Sequence, residues 1–210
     1  MRLPPCSTFK VPNTAILLET GTAPDAAFTL KYDPALKQPE NWARDFDLRG
    51  AFKASALWYY QAMARRAGMA AQRHFVEAFQ YGNGDTSGGI DRTSAPFWVD
   101  GSLRISANEQ VEFLRRFYEG RLGLSDRTTR LTKEIMVADE TPRWRLSAKT
   151  GACPAAPEGT ANWYVGYVEK PGASAPYYFA LQMGAKDYGR AYSERIPIAR
   201  AILTELGILD

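Results

Sequence analysis

The chain has 210 residues, 45% of them apolar and 23% charged, and 26 basic against 23 acidic side chains leave a net charge of +3. That length suits one domain with a sizeable core. So small and scattered a basic excess gives no argument for a nucleic-acid or membrane-surface partner. No apolar stretch approaches the ~18 residues of a membrane-spanning helix. Met1-Arg2-Leu3-Pro4-Pro5-Cys6 has no apolar run of the secretion-signal type, so no signal peptide is expected in the residues present.

Residues 11–19 carry Val11, Ala15, Ile16 and Leu18 at helical spacing, with Pro12 tolerable only near a first turn and Gly21 as the stop. A Pro- and Asp-rich loop follows, around Pro24-Asp25 and Asp33-Pro34. A long helix is expected from about Leu48 or Ala54 to Arg66, closed by Gly68, then a short one over 70–79 and a loop from Gly82 to Gly89. Val111, Leu114 and Phe117 predict a helix over Asn108–Tyr118, and another is expected over Asp126–Ile135. After Pro142 the period becomes two. Trp144, Leu146 and Ala148 alternate with polar residues, and Asn162–Glu169 and Tyr177–Met183 read as further strands. A closing helix spans Ile196–Leu206 and ends at Gly207. The predicted class is α+β, a single domain over 1–210 with a helical lobe at about 22–140 and the sheet with its C-terminal helix at about 143–210.

Two short motifs carry chemistry. Ser7-Thr8-Phe9-Lys10 is an S-x-x-K, and if the segment opens a helix its ends share a face. A serine hydroxyl needs a nearby base, which a desolvated lysine can supply. A helix N-terminus favours the developing alkoxide. Alone the motif is weak, since ordinary composition yields roughly one in a chain of this size, and an N-cap serine followed by a solvated lysine would look the same. Lys149-Thr150-Gly151 is rarer, about 0.05 per such chain. It is expected at the end of a strand, where the glycine lets a ligand approach the backbone and the lysine and threonine can bind a carboxylate. S-x-x-K paired with a distant K-T-G is the pattern of penicillin-recognising serine enzymes. Cys6, Cys153 and His74 are the only cysteines and histidine, too few for an ordinary zinc site, so no metal is expected.

In full, the motif set resembles the class D β-lactamases. Pro5-Cys6-Ser7-Thr8-Phe9-Lys10 is similar to their P-x-S-T-F-K, Ser55-Ala56-Leu57 to S-x-V with leucine for valine, and Tyr81-Gly82-Asn83 to Y-G-N. Phe97 to Ser106 looks like the tryptophan box, and Arg195 matches the late arginine. The resemblance implies a β-lactamase/transpeptidase-like fold, a helical region against an antiparallel sheet flanked by terminal helices. It implies Ser7 as nucleophile, Lys10 as base, Ser55 as proton relay, and the N–H groups of Ser7 and Ala152 as oxyanion hole. Lys149, Thr150, Gly151 and Arg195 would bind the drug, with Leu57, Tyr81 and Val99 on the wall. It implies no cofactor beyond a carbamate formed by carbon dioxide on Lys10, with the Trp98 indole N–H bonding it and Phe9, Leu57 and Val99 around it. Only the neutral amine reacts with carbon dioxide, so burial of Lys10 would favour it. The partner implied is a small-molecule β-lactam, and the compartment periplasmic or extracytoplasmic.

Family members carry a few dozen residues before the serine motif, forming two strands of the main sheet. Here the motif begins at residue 7, so the expectation is either a fragment of a longer chain or a sheet lacking those strands, with an exposed edge. The two cysteines are placed similarly to the bridge of some class A carbapenemases. A Cys6–Cys153 disulfide and a pair of small buried thiols both remain open. Three functional readings use the same residues: a β-lactam hydrolase, a β-lactam sensor acylated at Ser7 that deacylates very slowly, and a peptidoglycan D,D-peptidase relative. Leu57, standing where transpeptidases more often have asparagine, argues against the last. A folded but inactive truncated chain is the bland alternative.

Overall fold

A computed structural model of the chain describes all residues except 92–93, 156–158 and 185–187. A 3-10 turn at Cys6–Phe9 runs directly into helix α1 (Lys10–Glu19). A two-residue ladder, β1 (Thr29–Leu30) with β2 (Phe46–Asp47), leads into α2 (Leu48–Ala54) and α3 (Leu57–Ala67). Then come α4 (Met69–Ala78), α5 (Ala107–Tyr118) and α6 (Asp126–Met136). Strands β3 (Val137–Thr141), β4 (Trp144–Ala155), β5 (Gly159–Glu169) and β6 (Tyr177–Met183) form an antiparallel meander in that order, and α7 (Tyr188–Glu205) closes the chain. The α+β class is as expected.

The sheet has two unlike faces because side chains alternate along a strand. Cys153, Trp163, Val165 and Tyr167 join the main core with Phe9, Trp98 and the helices. Leu146, Ala148, Tyr164 and Val168 pack against Ala199 and Leu203 of α7. Lys149 and Gly151 share the parity of Cys153, so they point toward the helical lobe. Pairing of β3 with β4 ends at Val137↔Ser147. Beyond it, that edge of β4 has no strand partner among the described residues, which leaves a cleft beside Lys149-Thr150-Gly151. The outer edge of β6 is likewise without a strand partner among them.

Four expectations need correction. The long helix over residues 48–66 is two helices, because Ser55 takes a left-handed conformation (φ 58°, ψ 31°) and ends α2. No glycine or proline marks that break. K-T-G does not end its strand: β4 runs on through Cys153 to Ala155. The closing helix begins at Tyr188 rather than Ile196 and carries Pro197 in its interior. Finally, β3 has no counterpart in the sequence reading, its Ala138-Asp139-Glu140 being exposed on both faces.

Candidate active site

The Cys6–Phe9 turn presents Ser7 and carries the chain into α1. Its footing is built from several independent bonds. Cys6 N–H donates to the Trp98 carbonyl (2.9 Å), the Thr8 hydroxyl to the Pro5 carbonyl (2.7 Å), and the Gln110 side chain to the Thr8 hydroxyl (2.8 Å). The Trp163 indole donates to the Pro4 carbonyl (2.8 Å). Cys6 itself sits at φ 51°, a region non-glycine residues seldom occupy and one that concentrates at functional sites. Its sulfur is bonded to Cys153 with a Cα separation of 5.7 Å, so of the two readings of the cysteines the disulfide is the one realised.

Lys10 begins α1 with its Nζ 2.8 Å from the Ser7 hydroxyl while being 1% exposed. Burial and then the charge of Lys149 hold its pKa well below the usual lysine value, a shift in the direction a base needs. No carboxylate contributes to that shift. The Tyr60 ring lies 5.3 Å from the same nitrogen.

The break at Ser55 aims its hydroxyl across the cleft at Lys149, whose Nζ donates to it at 3.0 Å. Lys149 also reaches the Thr150 carbonyl and hydroxyl (3.2 and 3.3 Å). Burial, and secondarily Arg195, lower its pKa to about 7. Arg195, on α7, is 4% exposed. Its guanidinium lies over the Tyr192 ring at 3.9 Å, and its Nε makes no hydrogen bond. Gly151 closes the approach: a Cβ there would stand 2.8 Å from the Pro5 carbonyl and 3.1 Å from the Thr8 nitrogen. Only glycine lets β4 lie this close to the nucleophile turn, and Ala152 follows directly.

Ser7, Lys10, Ser55, Lys149, Thr150, Gly151 and Ala152 are thus assembled along one edge of β4, with Arg195 near enough for its charge to act on Lys149. A cavity of about 470 Å³, with Phe52, Met136 and Tyr164 among its walls, opens against Lys149 and Thr150. A larger recess of about 740 Å³ includes Arg49, Lys133 and Glu134 but none of these reactive groups, and in it Arg130 and Arg145 are already paired with Glu134 and Glu140. Chemistry, not volume, marks the site.

A penicillin-binding protein transpeptidase domain matches residues 1–204. The β-lactamase OXA-10 of Pseudomonas aeruginosa is 36% identical over 204 residues, 96% of this chain and 73% of that one. OXA-48 of Klebsiella pneumoniae is 38% identical over 179 residues, 85% of this chain and 65% of its own length. A class D β-lactamase from Nostoc superposes with a TM-score of 0.90 at 33% identity, covering all of this chain and 85% of the other. The chain belongs to the class D β-lactamases.

For a class D β-lactamase, Trp98 is informative. It is fully buried, stacked on Phe9 (centroids 5.3 Å, 18°), and its indole nitrogen has no hydrogen-bond partner. Buried N–H groups are rarely left so, which leaves this donor open to an acceptor that the neighbouring side chains do not supply. Leu57 and Val99 are half-buried against the same core. Tyr81 departs from the expected role. It is fully buried, its ring meets Phe9 edge-on at 5.7 Å, and its hydroxyl donates to Gln110 at 3.2 Å. It therefore backs the turn instead of lining the cleft. Gly82 and Asn83 are structural as well. A Cβ on Gly82 would lie 2.1 Å from the Arg104 carbonyl, while Asn83 bonds the backbone of Ser102 and Arg104 at 2.8 Å each. Thr8 and Gln110 were missed by sequence reasoning. The signal available was a polar residue at an otherwise apolar helical position, followed through α5.

Proposed function

We propose that this chain hydrolyses β-lactams through an acyl-enzyme at Ser7. The observation that carries the reading is the buried Lys10 amine 2.8 Å from the Ser7 hydroxyl. Lys10 takes the hydroxyl proton as the Ser7 oxygen attacks the lactam carbonyl carbon. The tetrahedral oxyanion is received by the N–H groups of Ser7 and Ala152. The C–N bond then breaks, and the leaving nitrogen takes a proton from Ser55, which Lys149 replenishes across its 3.0 Å contact. The substrate carboxylate is held by Thr150, Lys149 and Arg195. Lys10 then passes its proton across the cleft to Lys149, takes a new one from the attacking water, and delivers it to the Ser7 oxygen as the ester C–O bond breaks.

A carbamate on Lys10 would supply a carboxylate-like general base, ionised at neutral pH, for both half-reactions. The lowered pKa of Lys10 and the unbonded Trp98 N–H support its formation. We read residues 1–210 as one catalytic domain. An oxidising, extracytoplasmic compartment suits the buried disulfide, and no helix among the described residues is long and apolar enough to cross a membrane.

The test is product formed per mole of protein from a chromogenic cephalosporin. Sustained turnover is expected. A burst of about one equivalent that then stops would make the chain a sensor, and no reaction at all would remove Ser7 from the chemistry.

A further inference from the structure

We propose that the Cys6–Cys153 disulfide is a positioning element of the reaction: it sets the spacing of the two backbone N–H groups that polarise the lactam carbonyl. The inference rests on the reading of Ser7 and Ala152 as oxyanion donors. Each half-cystine is the chain neighbour of one donor, Cys6 of Ser7 and Cys153 of Ala152, and the bond between them spans 147 positions of sequence. The cross-link therefore ties the backbone immediately beside one donor to that beside the other.

Little else fixes that spacing. Among the described residues no backbone hydrogen bond joins the Cys6–Phe9 turn to β4. The bonds that anchor the turn go to Trp98, to Gln110 on α5 and to Trp163 on β5, the last reaching β4 only through the Gly151–Trp163 pairing. On its own side β4 is paired only with β5 at this level, Ala152 opposite Asn162 and Cys153 opposite Ala161. Gly151 brings the two backbones together, but contact alone resists compression and not separation. The disulfide supplies the one direct bond between the two segments among the described residues, and it resists their separation. It is also sequestered, Cys6 being fully buried and Cys153 4% exposed, so it is not placed to exchange with solvent thiols. The left-handed backbone of Cys6 belongs to the same device, turning the chain so that its sulfur faces β4 while Ser7 faces the cleft.

An oxyanion hole acts on a forming charge, so loosening it weakens the transition state more than substrate binding. The Cys6→Ala/Cys153→Ala variant is therefore expected to lose about tenfold or more in kcat, with KM changed by less than about threefold. Infrared spectroscopy of the acyl-enzyme provides a second reading, since two well-placed N–H donors lower the ester carbonyl frequency. In the variant that band should move up and broaden. Both measurements are made well below the variant's melting temperature. If the double variant does not fold, Cys153→Ala alone carries the test, as it leaves the nucleophile turn unsubstituted. A folded variant with native kcat and an unshifted carbonyl band overturns the positioning role while leaving Ser7 as nucleophile. Failure of the native protein to form any ester at Ser7 overturns both.

Discussion

Replacing Gly151 by alanine tests whether β4 and the nucleophile turn are held in register for catalysis. The added Cβ would sit 2.8 Å from the Pro5 carbonyl oxygen and 3.0 Å from the Thr8 methyl, so the two segments must separate by about half an ångström to restore ordinary contact. The oxygen is backbone, and the turn bearing it is pinned by Trp98, Gln110, Trp163 and Cys153. It cannot yield by rotating a side chain. Overpacking of this kind costs about 1–3 kcal/mol, read as a lower urea midpoint by tryptophan fluorescence. Displacing Ala152 and Ser7 relative to each other should cost about 10–100-fold in kcat/KM for a chromogenic cephalosporin. Native kcat/KM in a variant of lowered stability would refute the claim that this contact positions reacting groups. Unchanged stability would refute the packing argument itself.

Other outcomes follow from the same geometry. Lys10→Met keeps the buried volume and removes the base, so acylation should slow by about 10²–10⁴-fold in stopped flow; native acylation in that variant would contradict the assignment of Lys10. The pKa of Lys149 falls to about 7 and that of Lys10 is also lowered, so above the folded values the unfolded chain binds more protons. Stability should then rise with pH from about 7 toward 10, and the slope should diminish in Lys149→Met; equal slopes in urea titrations at stepped pH would contradict the burial cost. In the proposed reading a carbamate on Lys10 would have Leu57 on its wall. Activity titrated against bicarbonate should half-saturate at a different concentration in Leu57→Val, whereas superimposable curves would show no influence. A cross-link over 147 positions restricts the unfolded chain by up to about 5 kcal/mol in the loop-entropy view, so reduction under unfolding conditions should lower the melting temperature by several degrees. An unchanged melting curve would contradict this.

Much of this architecture was readable because local signals and tertiary environment agree. β6 was placed to the residue, since YYFALQM is a continuous β-forming run. For α5, Ser106 and Glu109 form a capping box that fixes the start one residue before the expected one. Motif order picked out the candidate residues, each a side chain or backbone group whose chemistry is visible in its type. What escaped was set by the fold. The left-handed turn at Ser55, closed by the Ser55 and Ala56 N–H groups on the Phe52 and Ala51 carbonyls, falls where no glycine or asparagine announces it. β3 hides because both its faces meet water along most of its length, erasing the alternation. Proline is most at home in a first helical turn, yet α7 runs through Pro197 and starts about two turns before the expected Ile196. Tyr81 looked like a wall of the cleft and lies one layer behind, which no spacing in the sequence distinguishes.

The central claim is that the hydroxyl of Ser7, activated by Lys10, becomes covalently acylated. Rapid quenching with a penicillin, followed by digestion and mass spectrometry, addresses it directly. One adduct on the peptide containing Ser7, absent in Ser7→Ala, is the predicted result. An adduct elsewhere, or its persistence in the alanine variant, would contradict the account.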